Sequence, residues 1–213
     1  PAFAPILEDV QKGFLPGRRM TDHVETVNEE FYSSLSRKQQ LFILFLDTRR
    51  AFDSIHHAFL FAVLRHIGLP EDLVNYVELP FCKVKVSPVI ANDKHLWFFV
   101  LRGVKQGCPL SPLFFVICYD PLLVYIERTS HGYLVVLAAA DDLAVLVRRF
   151  FHLWAVMKMI DAFAKTSGLG INYDKTAVLP TMVDEFDPGA ILRSPWREVV
   201  LARRYEHLGV LIG

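Results

Sequence analysis

The sequence predicts an α+β fold, a small antiparallel sheet with helices packed on one face. Three observations carry that expectation. LFILFLD (41–47) is a continuous apolar run, too short for a helix and bounded by charge, as a buried strand would be. Other apolar runs come in adjacent pairs joined by tight turns, 82–90 with 95–101 and 133–139 with 143–148. Longer stretches at 112–128 and 151–167 have the length and apolar spacing of helices. Strands that come in neighbouring pairs argue against a doubly wound parallel sheet.

Taken in order, residues 5–17 (PILEDVQKGFLPG) reach turn signals at Gly13 and Pro16-Gly17. A helix follows to about Leu35, capped by Thr21 or Asp22, with Val24, Val27, Phe31 and Leu35 as its apolar positions. SRKQQ connects it to the first strand, which carries Asp47 at its carboxyl end. Residues 55–67 suit a helix stopped by Gly68 and Pro70, and a second helix covers 71–79. The strand pair 82–90 and 95–101 turns at Asn92-Asp93. Gly103, Gly107, Pro109 and Pro112 punctuate a loop that leads into helix 112–128. Strand 133–139, a tight turn at Asp141-Asp142 and strand 143–148 precede helix 151–167, which ends near Gly168 and Gly170. The tail to residue 190, with Pro180, Asp184, Glu185 and Pro188, suits an exposed loop.

A chain of 213 residues makes one large domain or two small lobes. Its 53% hydrophobic and 13% aromatic content excludes disorder and implies a core larger than the chain closes over alone. Twenty-three basic residues balance 23 acidic ones, so net charge gives no hint of a nucleic-acid partner and leaves local patches open. Cys82, Cys108 and Cys118 are too few and too unevenly spaced for a disulfide framework or a structural zinc site, so a reducing, intracellular compartment is expected. Neither a signal peptide nor an apolar run of about 18 residues is present, and no membrane partner is expected. A start at Pro1 and a new apolar run at Leu211-Ile212 suggest a piece of a longer protein.

LVVLAAADDLAVLV (134–147) places Asp141 and Asp142 inside an apolar hairpin. Acidic residues favour turns that face water, which is one account of the pair. The flanking runs are nearly continuous, however, so both strands are buried and the turn rests at the rim of the core. Two carboxylates there repel each other unless a cation or a base compensates. Asp47 also ends an apolar strand, as a helix cap or as a third acid at the same sheet edge. Converging carboxylates are the oxygen ligands that Mg²⁺ prefers, and a pair of such ions serves phosphoryl transfer.

Five blocks then occur in order: FLDTRRAFDSIHH (45–57), RGVKQGCPLSP (102–112), AADD (139–142), GLGINYDKT (168–176) and HLGV (207–210). With GFLPGRRMTDHV (13–24) ahead of them, they resemble a reverse transcriptase of the non-LTR retrotransposon and group II intron branch over about residues 11–211. The resemblance implies a right-hand polymerase, palm and fingers with the thumb absent. Residues 1–40 would be partial fingers, and 41–213 mainly palm with a fingers insertion around 68–108. It implies RNA-directed DNA synthesis on an RNA template, from a DNA or RNA primer and dNTPs, with Mg²⁺ or Mn²⁺.

Residue by residue, the same resemblance makes Asp47 the first metal-binding carboxylate, Asp141 the second, and Asp142 a supporting acid beside them. Phe52 falls where an aromatic ring lies beneath the incoming sugar and disfavours a 2′-hydroxyl; by itself it reads as a core aromatic. Gln106 and Gly107 match the loop that meets the template base and nucleotide. Lys175 matches a lysine near the triphosphate, Arg18 faces phosphates, Arg102 and Lys105 add positive charge, and Asp53 holds a local turn. Ala139 stands where the family has Tyr or Phe to support the primer terminus, Val116 where it has Asn, and His207 where it has Tyr. Misplacing the attacking hydroxyl by about 1 Å costs on the order of 100-fold in rate. Two further readings therefore stay open: a decayed element without activity, and a non-enzymatic RNA-binding scaffold.

Overall fold

The computed structural model describes residues 7, 9–15, 17–81, 84–87, 97–130, 133–182, 189 and 195–213. Strand β1 (Phe42–Leu46) lies at the centre of a five-stranded sheet of order β4-β5-β1-β6-β7. Its neighbours are β5 (Asp142–Val147) on one side and β6 (Ala177–Pro180) on the other, both antiparallel. β4 (Leu134–Ala139) forms a hairpin with β5, and the two-residue β7 (Val200–Leu201) pairs with β6 in parallel.

All five residues of β1 are buried because both faces of the sheet are covered. Alternation sends Phe42, Leu44 and Leu46 one way, into a core shared with α3 (His57–His66), α5 (Ser111–Ser130) and α6 (Phe150–Ser167). Ile43 and Phe45 point the other way, against Val27 and Phe31 of α1 (Thr21–Ser36) and Ile212 of a terminal hairpin, β8 (Tyr205–His207) with β9 (Val210–Ile212). The expectation of helices on one face thus holds for α3, α5 and α6, while α1 and the hairpin close the second face. Each large apolar side chain so buried stabilises the fold by about 1.5–3 kcal/mol.

Several boundaries differ from the sequence reading for local reasons. No side chain caps α1: Met20 occupies the cap position, and Asp22 sits in the first turn, where its charge suits the helix dipole. Its buried face runs through His23, Val27, Phe31 and Ser34, and Leu35 is exposed. The helix expected over 55–67 is α3; a short α2 (Ala51–Ser54) precedes it, and Ile55 turns extended between the two. Gly68 stops α3 with φ 83° as expected, and α4 (Glu71–Glu78) follows Pro70. Of the next pair, β2 (Lys85–Val86) and β3 (Phe98–Phe99) are antiparallel; the Asn92-Asp93 turn and Cys82 lie outside the described residues.

The tail expected to be a loop begins with a buried strand. Ala177, Val178 and Leu179 are at most 1% exposed, and Pro180, which donates no ladder hydrogen bond, stands at the end of β6 opposite Phe42. Four residues are too few for a periodic signal. Pro16, Asp184, Glu185 and Pro188 lie outside the described residues. Gly168 ends α6 with φ 82°, and a Cβ there would collide with the Ser54 carbonyl. The close contact brings the end of α6 onto the α2–α3 junction, where His56 N–H also donates to the Ser167 carbonyl at 2.8 Å.

Candidate active site at the carboxylate end of the sheet

The central register places the acids. Leu46 pairs with Leu143, so one step further Asp47 faces Asp142, and Asp142 pairs on its other side with Ala139. The turn of the hairpin is Ala140-Asp141, not Asp141-Asp142; Asp142 is already the first residue of β5. By alternation Asp47 follows the face of Ile43 and Phe45, and Asp142 that of Ala144 and Leu146, so both belong to the face closed by α1 and the β8–β9 hairpin.

Electrostatics tie the three acids together. Burial holds the Asp141 carboxyl above its ordinary pKa and the charge of Asp47 adds to the rise, against a hydrogen bond from its own backbone. Asp142 is likewise raised by burial, then by Asp141 and Asp47. Tyr119 of α5, 1% exposed, is pushed up by burial and further by all three acids, with the Thr48 hydroxyl opposing. None of these rises is offset by a cation among the described residues. The oxygen donors and their uncompensated charge suit a hard divalent ion. They do not form a finished cage: among the described residues no three His, Cys, Asp or Glu side chains close into a metal-holding group.

The GLGINYDKT segment fixes the backbone of Asp47. Its N–H donates to the Thr176 hydroxyl at 3.3 Å, and its carbonyl accepts from Asn172 N–H at 3.0 Å. Arg49 N–H donates to the Gly170 carbonyl at 2.8 Å, and Thr48 bridges to Ile171. Thr176 is fully buried and was not singled out in the sequence, where it reads as one more β-branched residue. Tyr205 is a second such residue. Its ring stacks on Phe45 at 4.5 Å, its hydroxyl donates to the Lys175 carbonyl at 3.1 Å, and burial followed by the charges of Asp47 and Asp142 raises its pKa. Lys175 itself is exposed, just ahead of β6.

The remaining candidates are distributed around this end. Phe52 is partly buried, stacked on Phe115 at 5.0 Å and edge-on to Phe14 at 6.3 Å, as a core aromatic would be. Gln106 is exposed and its amide donates to Asp53 of α2 at 3.2 Å, a contact across 53 positions of sequence rather than within a local turn. Gly107 has φ 82°, with open space where a side chain would be. Beside this loop lies a cavity of about 380 Å³ walled by Phe81, Val84, Val100 and Val104, with Arg102 and Lys105 also lining it. Arg18 is turned inward: its guanidinium donates to the Gln11 and Leu7 carbonyls at 2.7 and 3.2 Å and pairs with Asp9. Val116 is fully buried in α5, and His207 is buried beside Phe45.

Residues 2–210 match the family model described as reverse transcriptase (RNA-dependent DNA polymerase). The chain belongs to the reverse transcriptase family. Among its relatives in that family are the retrovirus-related Pol polyproteins of R2 elements. It is 31% identical over 170 residues to that of R2DM from Drosophila melanogaster, covering 78% of this chain and 16% of the relative. The R2 polyprotein of Nasonia vitripennis is 28% identical over 170 residues, covering 77% and 16%. An uncharacterized 149 kDa protein of transposon TX1 from Xenopus laevis is 25% identical and covers 98% of the chain and 16% of the relative. The chain thus spans about one sixth of the length of these curated relatives. Its fold is also that of telomerase structures from Candida tropicalis. Two of these give a TM-score of 0.59 at 17% identity and 0.62 at 13%, covering 75% and 84% of this chain and 35% and 34% of theirs.

Proposed function

We propose that this chain is the palm, with part of the fingers, of an RNA-directed DNA polymerase of a retroelement. The observation that carries the reading is the register: three acids from β1 and the β4–β5 hairpin meet at one sheet end, and each raised carboxyl feels Asp47. Asp47, Asp141 and Asp142 would hold Mg²⁺, or Mn²⁺, which takes one or two protein carboxylates and completes its sphere with water and the nucleotide's phosphates. Bound there, the ions would acidify the primer 3′-hydroxyl and neutralise the pyrophosphate that leaves. Lys175 would meet the triphosphate, Gln106 and Gly107 the templating pair, and Phe52 the deoxyribose. Arg18, already bonded to main-chain carbonyls, contributes by bracing the segment around Gln11 more than by reaching phosphates.

The substrates in this reading are an RNA template, a DNA or RNA primer and dNTPs, with RNA held through its backbone and shape. Residues 1–40 form part of the fingers, and 41–213 mainly the palm with a fingers insertion around 68–108. An intracellular site of action is proposed from the three unevenly spaced cysteines of the sequence. Among the described residues no helix is long and apolar enough to cross a membrane. A second reading, RNA binding without synthesis, is favoured by Ala139: the residue paired with Asp142 is 3% exposed and brings no ring to a primer.

Primer extension on an RNA template with Mg²⁺ or Mn²⁺ tests the proposal. The unaltered chain should give divalent-dependent product, and Asp141→Asn should lose it by on the order of 100-fold or more. RNA binding without any product from the folded chain would favour the second reading.

A further inference from the structure

We propose that Gln11 is a positioning residue that sets the direction of Asp141 by clamping the backbone of Ala140. The turn between β4 and β5 has only two residues, and the first, Ala140, has φ 60°. Turns with that sign at the first central position favour glycine, because a Cβ there is strained by about 1–2 kcal/mol. Something must hold an alanine in that conformation.

Gln11 does so from both sides. Its amide oxygen accepts from Ala140 N–H at 2.8 Å and its amide nitrogen donates to the Ala140 carbonyl at 3.2 Å. The same oxygen accepts from Gly13 N–H at 2.8 Å, so the side chain also fixes its own loop. Gln11 is fully buried although polar, and each polar group of its amide is matched. The surrounding chain is built to deliver it. Lys12 N–H donates to the Ala138 carbonyl at 2.7 Å and Ala138 N–H to the Val10 carbonyl at 3.0 Å, which pairs this segment with the edge of β4. Gly13 approaches so closely that any Cβ would collide with the Ala140 backbone. Arg18 then ties the Gln11 carbonyl from outside.

The chemistry selects glutamine. Two N–H groups and one carbonyl converge on one side chain, and a carboxamide offers an acceptor and a donor without placing a charge beside Asp141 and Asp142. A glutamate of the same length keeps both N–H bonds but sets an oxygen against the Ala140 carbonyl. A leucine fills the space and satisfies none of the three.

What the clamp is for rests on the polymerase reading, since it orients an acid assigned there to metal binding; whether the clamp exists does not. The test compares the unaltered chain with Gln11→Leu and Gln11→Glu. Hydrogen exchange by mass spectrometry over residues 138–142 should speed up about tenfold or more in Gln11→Leu and less in Gln11→Glu, with 143–147 still protected. Mn²⁺ alone, titrated against the chain by the electron paramagnetic resonance of the free ion, should bind about fivefold or more weakly to Gln11→Leu, with partial recovery in Gln11→Glu. Equal exchange over 138–142 in all three proteins would overturn the clamp, and Mn²⁺ affinities within twofold of one another where exchange differs would overturn its role in positioning Asp141. If Gln11→Leu fails to fold, Gln11→Glu against the unaltered chain decides by the same two measurements. Failure of Mn²⁺ to bind the unaltered chain would sink the metal assignment and the clamp's part in it, while the exchange contrast still decides whether the turn is held.

Discussion

Asp142 shows how a single side chain can be placed against its own stability. Its carboxyl and that of Asp141 are raised by burial and by neighbouring acids, so both are easier to bury protonated than charged. A group whose folded pKa is raised adds stability below the unfolded value and loses it as pH climbs through the folded one, so at neutral pH these acids cost stability. Asp142 is itself exposed, so solvent screens the effect, and Asp142→Asn should raise the thermal midpoint by no more than about 2 °C, read by circular dichroism at pH 7. Mg²⁺ should raise the midpoint of the unaltered chain more than that of Asp141→Asn. This constellation was legible residue by residue: two adjacent acids in an apolar run and a third at a strand end. The partner of the turn was not. Gln11 lies 129 positions from Ala140 and sits in a polar stretch that offers no periodicity.

At the scale of elements, the contact between Gly168 and Ser54 joins the end of α6 to the α2–α3 junction. Gly168→Ala combines a positive φ with a collision against backbone, and should lower unfolding free energy by about 2 kcal/mol or more in urea titration. The cooperative slope should stay unchanged, because the same surface is exposed on unfolding. The long helices could be read from their length and apolar content, and the hairpin because two nearly continuous apolar runs flank a tight turn. β6 could not. Its AVLP has no room for a period, and what makes it a strand is the vacant side of β1, including Ile43 opposite Leu179. The short α2 escaped for a similar reason: its end at the extended Ile55 is imposed by pairing, with Gly103 N–H donating to the Ile55 carbonyl at 2.7 Å.

For the whole molecule, the second core carries a pH liability. His23 of α1 and His207 of β8 are both buried, and both are pulled down to about 4. Burial is the first cause for each, followed for His23 by the charge of Lys12, against Asp22, and for His207 by His23. Their folded values lie below the unfolded 6.5, so the unfolded chain binds more protons between the two. Stability is full above about 6.5 and falls as pH drops toward 4. Urea midpoints measured from pH 7.5 to 4.5 should decline in step, and His207→Phe should flatten part of the decline.

The burial of β1 on both faces has a consequence in time. Its partner β5 begins 96 residues after Leu46 and β6 later still. At a ribosome's pace of about 5–20 residues per second, the run FILFL waits roughly 5–20 s for its first neighbour. During that interval a flat, uncharged strand has two unpaired edges, the state in which chains add to one another. A nascent chain stopped near residue 130 should therefore pellet on centrifugation, whereas one that extends past Val147 gains the hairpin that pairs one edge of β1.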